Sequence, residues 1–188
     1  SYLSPAFSGS LVWTDAFNLK SNWLDYGKIR VGYARVGSDA PPGNSEALFV
    51  LSTTTFLNQP YGTRSGLTND PNLSPEFTRE VEIGTDLSLF KRRVNLEFTW
   101  YNKSSTDLIY AIDVPITSGY TRFNTNLGEI TNKGIEAGLT VRPIVGKNFN
   151  WEVRGVFTKN KNIVVSLVDG LERALLGYIS YLEAGFPY

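Results

Sequence analysis

Residues 75–100 read PEFTREVEIGTDLSLFKRRVNLEFTW, and a two-residue alternation runs through both halves of the stretch. Val81, Ile83, Thr85, Leu87 and Leu89 fall on one side, and Glu80, Glu82, Gly84, Asp86 and Ser88 on the other. After the basic turn Lys91-Arg92-Arg93 the pattern resumes, with Val94, Leu96, Phe98 and Trp100 set against Asn95, Glu97, Thr99 and Tyr101. Successive strand side chains point to opposite faces, so this spacing predicts a hairpin with one apolar wall and one polar wall. Such a hairpin fits a soluble sheet with one wet side and a membrane barrel equally well.

The same alternation recurs outward from the hairpin. Ala6–Trp13, Lys28–Gly37, residues 131–144 and residues 149–161 all read as strands. Residues 14–26 form a connector with a helical turn expected at Thr14 or Asp15. Residues 38–75 carry prolines at 41, 42, 60, 71 and 75 and read as one long loop, and residues 108–131 as a second. In the tail, Leu171, Leu175 and Ile179 have helical spacing while residues 178–183 alternate, so both readings stay open. Short links at 91–93 and 143–148 and a moderate one at 14–27 thus interleave with long ones at 38–75, 108–131 and 163 onward. In an up-and-down meander this sorts short turns to one end and long loops to the other, the asymmetry of transmembrane barrels.

Composition removes most alternatives. Lys+Arg and Asp+Glu are each 18, so the chain lacks the basic excess of a nucleic-acid binder. Cysteine and histidine are both absent, which excludes disulfides, thiolate or Ser-His-Asp nucleophiles and the usual zinc ligands. No catalytic, metal or cofactor site is expected. No run reaches the roughly 20 apolar residues of a membrane helix, but barrel strands need no such run. The 188 residues hold no methionine, even at position 1, which points to a piece of a longer polypeptide whose signal peptide lies upstream.

The polar rows bring Glu80, Glu82, Asp86, Glu97, Glu136, Glu152 and Arg154 to one side of the sheet. So many charges inside a dry sandwich core would carry a prohibitive desolvation cost, so this face must be wet. A lumen wall and the solvent side of a soluble sheet both satisfy that condition.

At the segments YLSPAFSGSLVWTDAF, GKIRVGYARVG, NLSPEFTREVEIGTDLSLFKRRVNLEFTWYNKSSTDLI, NLGEITNKGIEAGLTVRPI, FNWEVRGVFTKNKNIVVSL and EAGFPY, the chain resembles the SusC/RagA-type TonB-dependent outer-membrane transporters. Single motifs such as NKGIE are weak; their order and spacing along most of the chain are specific. The resemblance implies an all-β, antiparallel up-and-down transmembrane barrel. This chain would supply about six strands of the C-terminal part of a barrel of about 22. On that reading residues 1–188 form a barrel segment, with the N-terminal plug and TonB box outside this chain. It further implies active import of large polar nutrients, oligosaccharides or oligopeptides, across the bacterial outer membrane. A SusD-like surface lipoprotein, the TonB-ExbB-ExbD complex and outer-membrane lipid are the implied partners, with no nucleic acid.

On this frame the seven polar-row residues named above are lumen-facing. Trp13, Trp23, Tyr26, Trp100, Tyr101, Phe149 and Trp151 fall near strand ends, as a membrane-interface girdle would. Tyr61, Arg64, Tyr120, Arg122 and Phe123 lie on the long loops, where they are candidates for contact with a sugar or peptide. The rival readings are a glycan-binding β-sandwich or surface adhesin without transport, and, further off, a glycosidase fragment using paired inward carboxylates.

Overall fold

A computed structural model of the chain describes residues 3–19, 21–40, 49–167, 173–175 and 181–187. The elements in order are β1 (Ala6–Val12), α1 (Trp13–Ala16), β2 (Leu24–Ser38), β3 (Phe49–Phe56), β4 (Gln59–Arg64), β5 (Leu67–Asn69), β6 (Glu76–Leu89) and β7 (Val94–Thr106). They continue with β8 (Ile109–Asp113), β9 (Arg122–Asn126), β10 (Gly128–Val145), β11 (Asn150–Leu167), β12 (Arg173–Leu175) and β13 (Tyr181–Glu183). A six-stranded sheet runs in the order β1-β2-β6-β7-β10-β11. This is an all-β meander in which β3–β5 and β8–β9 are insertions. No helix among the described residues is long and apolar enough to cross a membrane.

The chain forms two compact units. One comprises Ser1–Val36, Thr78–Ser104 and Thr131–Asn162, the other Gly37–Phe77, Ser105–Ile130 and Ile163–Tyr188. The short links fall in the first unit, and the long excursions make up the second.

In the first unit, β1 and β2 pair antiparallel, with Phe7 opposite Tyr33, Gly9 opposite Val31 and Leu11 opposite Ile29. These apolar side chains remain exposed, as do Ile83, Phe98, Leu139, Trp151, Val153 and Phe157 farther along the sheet. An apolar surface this extensive is stable only under a cover, and in a barrel wall lipid provides it. The helical turn α1 is fastened to β2 through Thr14, which is buried. Its hydroxyl accepts from the Gly27 N–H (3.2 Å) and donates to the Gly27 carbonyl (3.4 Å). Gly27 must lack a side chain because the Trp13 indole lies over it.

The strands outrun their sequence signal. β2 begins at Leu24 rather than Lys28, β7 continues through the polar NKSST run, and β11 reaches Leu167 rather than residue 161. In each case polar residues or glycine blur the alternation, yet ladder hydrogen bonds with a neighbouring strand do not depend on side-chain type. Pro143 sits inside β10 instead of ending it. The Arg142 N–H donates to the Arg93 carbonyl (2.7 Å) just before β7 begins, so pairing with the neighbouring strand runs right up to the proline.

In the second unit, the long loop expected over residues 38–75 contains β3, β4 and β5. β3 and β4 form a hairpin closed by Leu57-Asn58, with φ values of 49° and 59° suited to a type I′ turn. β5 pairs parallel with β9, which pairs antiparallel with β8. The two excursions are stitched together by β9. Asn124 donates to Asn69 (2.7 Å), Thr125 to Asp70 (3.2 Å), and Asn126 accepts from the Ser74 N–H (2.8 Å) while donating to the Ser74 carbonyl (2.8 Å). Leu127, Val164 and Leu182 form a small buried cluster here, flanked by Ile112, Ile130 and Leu167. Gly128, at φ 135°, has the Ser166 carbonyl where a Cβ would stand, so no other residue fits. In the tail, β12 and β13 pair as strands; Leu171 and Ile179, two of the three residues with helical spacing, lie outside the described residues.

Candidate functional site

Alternation places polar side chains on one face of the six-stranded sheet, and the structure gathers them around Arg30 of β2. Its Nη2 donates to Thr99 Oγ1 on β7 (2.9 Å), and its Nη1 lies 3.8 Å from Glu82 on β6. Nε sits 3.4 Å from Asp86 Oδ1, an ion-pair distance without hydrogen-bond geometry. One guanidinium thus ties three strands together. Gly84 makes the arrangement possible, because a Cβ there would stand 2.9 Å from the Arg30 guanidinium. Similarly, the Tyr101 ring of β7 lies over Gly134 of β10, 2.5 Å from where a Cβ would be. Long side chains laid across buried glycines on neighbouring strands pin the register.

A concavity of about 460 Å³ opens on this face, bordered by Arg30, Glu80, Glu82, Glu97, Glu136 and Arg154, with Thr99 and Tyr101 between them. Four carboxylates face two guanidinium groups there. Five of the seven predicted polar-row residues therefore share one site. Asp86 joins it through Arg30, while Glu152 instead accepts a 2.7 Å bond from Arg142 across the β10–β11 hairpin. With carboxylates outnumbering guanidinium groups, this half-exposed face is acidic and hydrated.

Sequence reasoning overlooked Arg30 and Gly84, the pair at the centre. The signal was present: Arg30 alternates with Ile29 and Val31, and Gly84 stands on the acidic row. By its position near a strand end Tyr101 falls among the interface aromatics. It borders the polar concavity instead, because its place in the two-residue period puts it with Glu97 and Thr99. The Trp13 indole lies over Gly27, whereas Trp23 and Trp151 are exposed.

The five loop candidates lie in the second unit. The Arg64 guanidinium stacks on the Tyr120 ring, 4.4 Å from its centroid. Tyr61, on the same strand as Arg64, is exposed; its hydroxyl lies 3.3 Å from Thr54 Oγ1. Hydrogen bonds from Ser52 and then Thr54 hold its phenol below its ordinary pKa. Arg122 pairs with Asp113 at 3.5 Å with both side chains mostly exposed. Phe123 lies on β9 between Thr68 and Ile112 of the flanking strands. The structure thus brings Arg64 and Tyr120 into contact and gives Tyr61, Arg122 and Phe123 separate surroundings. The partners of Asn124 and Asn126 on β9 could not be read from the sequence, because Asn in a loop signals only a turn until its partner is known.

Comparison with known proteins agrees with this architecture. The family model "TonB dependent receptor-like, beta-barrel" matches residues 1–180. TonB-dependent receptor P39 of Formosa agariphila is 32% identical over 142 residues, covering 76% of this chain and 14% of that protein. TonB-dependent receptor SusC of Bacteroides thetaiotaomicron is 26% identical over 167 residues, 84% of this chain and 16% of that protein. The chain therefore spans under a fifth of the length of these relatives. The structure of the RagAB peptide transporter superposes with a TM-score of 0.83 at 23% identity, over 96% of this chain and 20% of that one, a likeness of fold. The chain belongs to the TonB-dependent receptor β-barrel family of the bacterial outer membrane and forms an open segment of such a barrel, of the SusC/RagA type.

Proposed function

We propose that the chain supplies barrel wall and extracellular loops to a TonB-dependent active importer of large polar nutrients. The observation that carries this reading is the two-faced sheet of the first unit: an apolar face left exposed, and an opposite face with an arginine-centred concavity of mixed charge. A wall of that kind separates lipid from a wet passage. Glu80, Glu82, Asp86, Glu97, Glu136, Glu152 and Arg154 then face the lumen. Tyr61, Arg64, Tyr120, Arg122 and Phe123 are the residues at which cargo is first met. The cargo is an oligosaccharide or an oligopeptide; aromatic rings and arginines at the loops suit both. A SusD-like lipoprotein outside and TonB-ExbB-ExbD inside are the partners this function requires, the second acting through an N-terminal plug and TonB box elsewhere in the parent protein. The named relatives are receptors, and the function here is transport rather than catalysis.

Uptake of labelled oligosaccharides and oligopeptides by cells bearing the parent protein tests the reading. Uptake should stop when TonB is deleted, with the protein still in the outer membrane. Entry that continues unchanged without TonB would sink it.

A further inference from the structure

The apolar rows of β7, β10 and β11 end abruptly, and at neighbouring points. On β11, Trp151, Val153 and Phe157 give way within one period to Lys159 and Lys161; on β10, the row of Val141, Leu139 and Ile135 ends at Lys133. On β7 the last apolar member of the row is Trp100. The three lysines are exposed, and with Trp100 and Ile135 they border one shallow concavity of about 240 Å³ on the sheet's apolar side. No acidic residue borders it. Every carboxylate of the central network projects from the other face, so these lysines have no countercharge among the described residues at their own concavity.

A bland surface lysine needs no explanation, but these three stand where a lipid-facing wall reaches its edge. A tryptophan at that edge marks headgroup depth. Charged residues facing lipid are tolerated near the interface and are costly at mid-depth, so the position is acceptable only where headgroups begin. The edge is the one from which β7 and β11 lead, along the chain, into the long excursions, and long loops of such barrels are extracellular. We propose that Lys133, Lys159 and Lys161 form a binding site for the phosphate-bearing headgroup of an outer-leaflet lipid, whose acyl chains lie along the Ile135–Leu139 and Phe157–Val153 rows below. The match is one of charge and of polarity gradient: an anionic head beside three cations, and apolar tails against an apolar wall. The site anchors a lipid to the wall and contributes nothing to cargo recognition. It rests on the outer-membrane placement of the chain and not on the identity of the cargo.

The test uses the full-length parent transporter, purified in mild detergent and delipidated. It is titrated with a phosphorylated outer-leaflet glycolipid and, separately, with the same glycolipid after phosphate removal, with bound lipid counted by native mass spectrometry. The wild type should prefer the phosphorylated form, and K133Q/K159Q/K161Q should lose affinity by roughly fivefold per lysine. The triple arginine variant should retain the preference, and heat-modifiable migration on gels confirms that each variant is a folded barrel. Inorganic phosphate at millimolar concentration should fail to displace the lipid, since it lacks the acyl anchor. Equal binding of both glycolipid forms, undiminished binding by the glutamine variant, or ready displacement by inorganic phosphate each overturns the proposal. TonB-dependent uptake should persist in the glutamine variant, so a failed lipid result leaves the transport reading intact, and a failed transport result leaves the lipid site standing.

Discussion

At the scale of single residues, the polar face is organised by the absence of side chains as much as by charge. Gly84 and Gly134 leave the room that Arg30 and Tyr101 fill. Gly134→Ala should therefore destabilise the barrel by about 1–3 kcal/mol, since the new Cβ meets a ring that β-structure holds in place. Combining it with Tyr101→Ala should recover part of that loss. A double-mutant cycle on denaturant midpoints of the parent barrel checks the coupling, and strictly additive effects would show that the ring and the glycine do not meet. Arg30 is a different case. Its carboxylate partners are partly exposed, with side-chain exposures of 44% for Glu82 and 27% for Asp86, so screening limits each ion pair. Arg30→Gln should cost only about 1 kcal/mol, shrinking as salt rises, and equilibrium unfolding at low and high ionic strength measures both. A loss several times larger and indifferent to salt would mean that Arg30 acts by packing.

At the scale of elements, the hairpin of β6 and β7 is closed by a turn that propensity disfavours. Phe90, Lys91 and Arg92 all take left-handed backbone angles, with φ of 56°, 57° and 60°. Non-glycine residues avoid this region, and the turn holds because its surroundings over-determine it. The Phe90 N–H donates to the Trp23 carbonyl (2.8 Å), the Arg92 N–H to Asp25 (3.0 Å), and the Arg93 N–H to the Phe90 carbonyl (3.3 Å). The beginning of β2 thus clamps the turn of its neighbour. Lys91→Gly relieves one strained position without removing a clamp and should raise stability by about 0.5–1 kcal/mol, read as a higher unfolding midpoint. An unchanged or lowered midpoint would show that the strain is smaller than the entropy glycine brings to the unfolded chain. The other insertions are similarly held by partners distant in sequence: Thr121 donates to the Gly66 carbonyl through both its backbone N–H (2.7 Å) and its hydroxyl (3.1 Å).

At the scale of the whole molecule, this chain carries sheet edges that it does not close. β1 and β11 are the outer strands of the six, and residues 150–161 of β11 are exposed along their length. An unpaired edge next to an uncovered apolar face is an invitation to aggregate. Expressed alone in detergent-free buffer, the 188-residue chain should sediment as aggregate, whereas the parent barrel should remain dispersed in detergent; a monodisperse chain in buffer would contradict the barrel-wall reading. Much of this was legible in the sequence. The six-strand meander, its two faces and its long insertions follow from a period of two and from where proline, glycine and asparagine interrupt it, because pleat geometry is a local property. The acidic row could be assigned to a wet face from desolvation cost alone. Only the tertiary structure decided what depends on neighbours far along the chain. It made Arg30 the hub of the polar face and laid the Tyr101 ring over Gly134. It extended β2, β7 and β11 through polar residues, turned the long loop over 49–69 into strands, and paired Arg64 with Tyr120. Alternation tells which way a side chain points, and register across strands tells what it touches; register is fixed by the summed pairing of whole strands, which no single stretch of sequence contains.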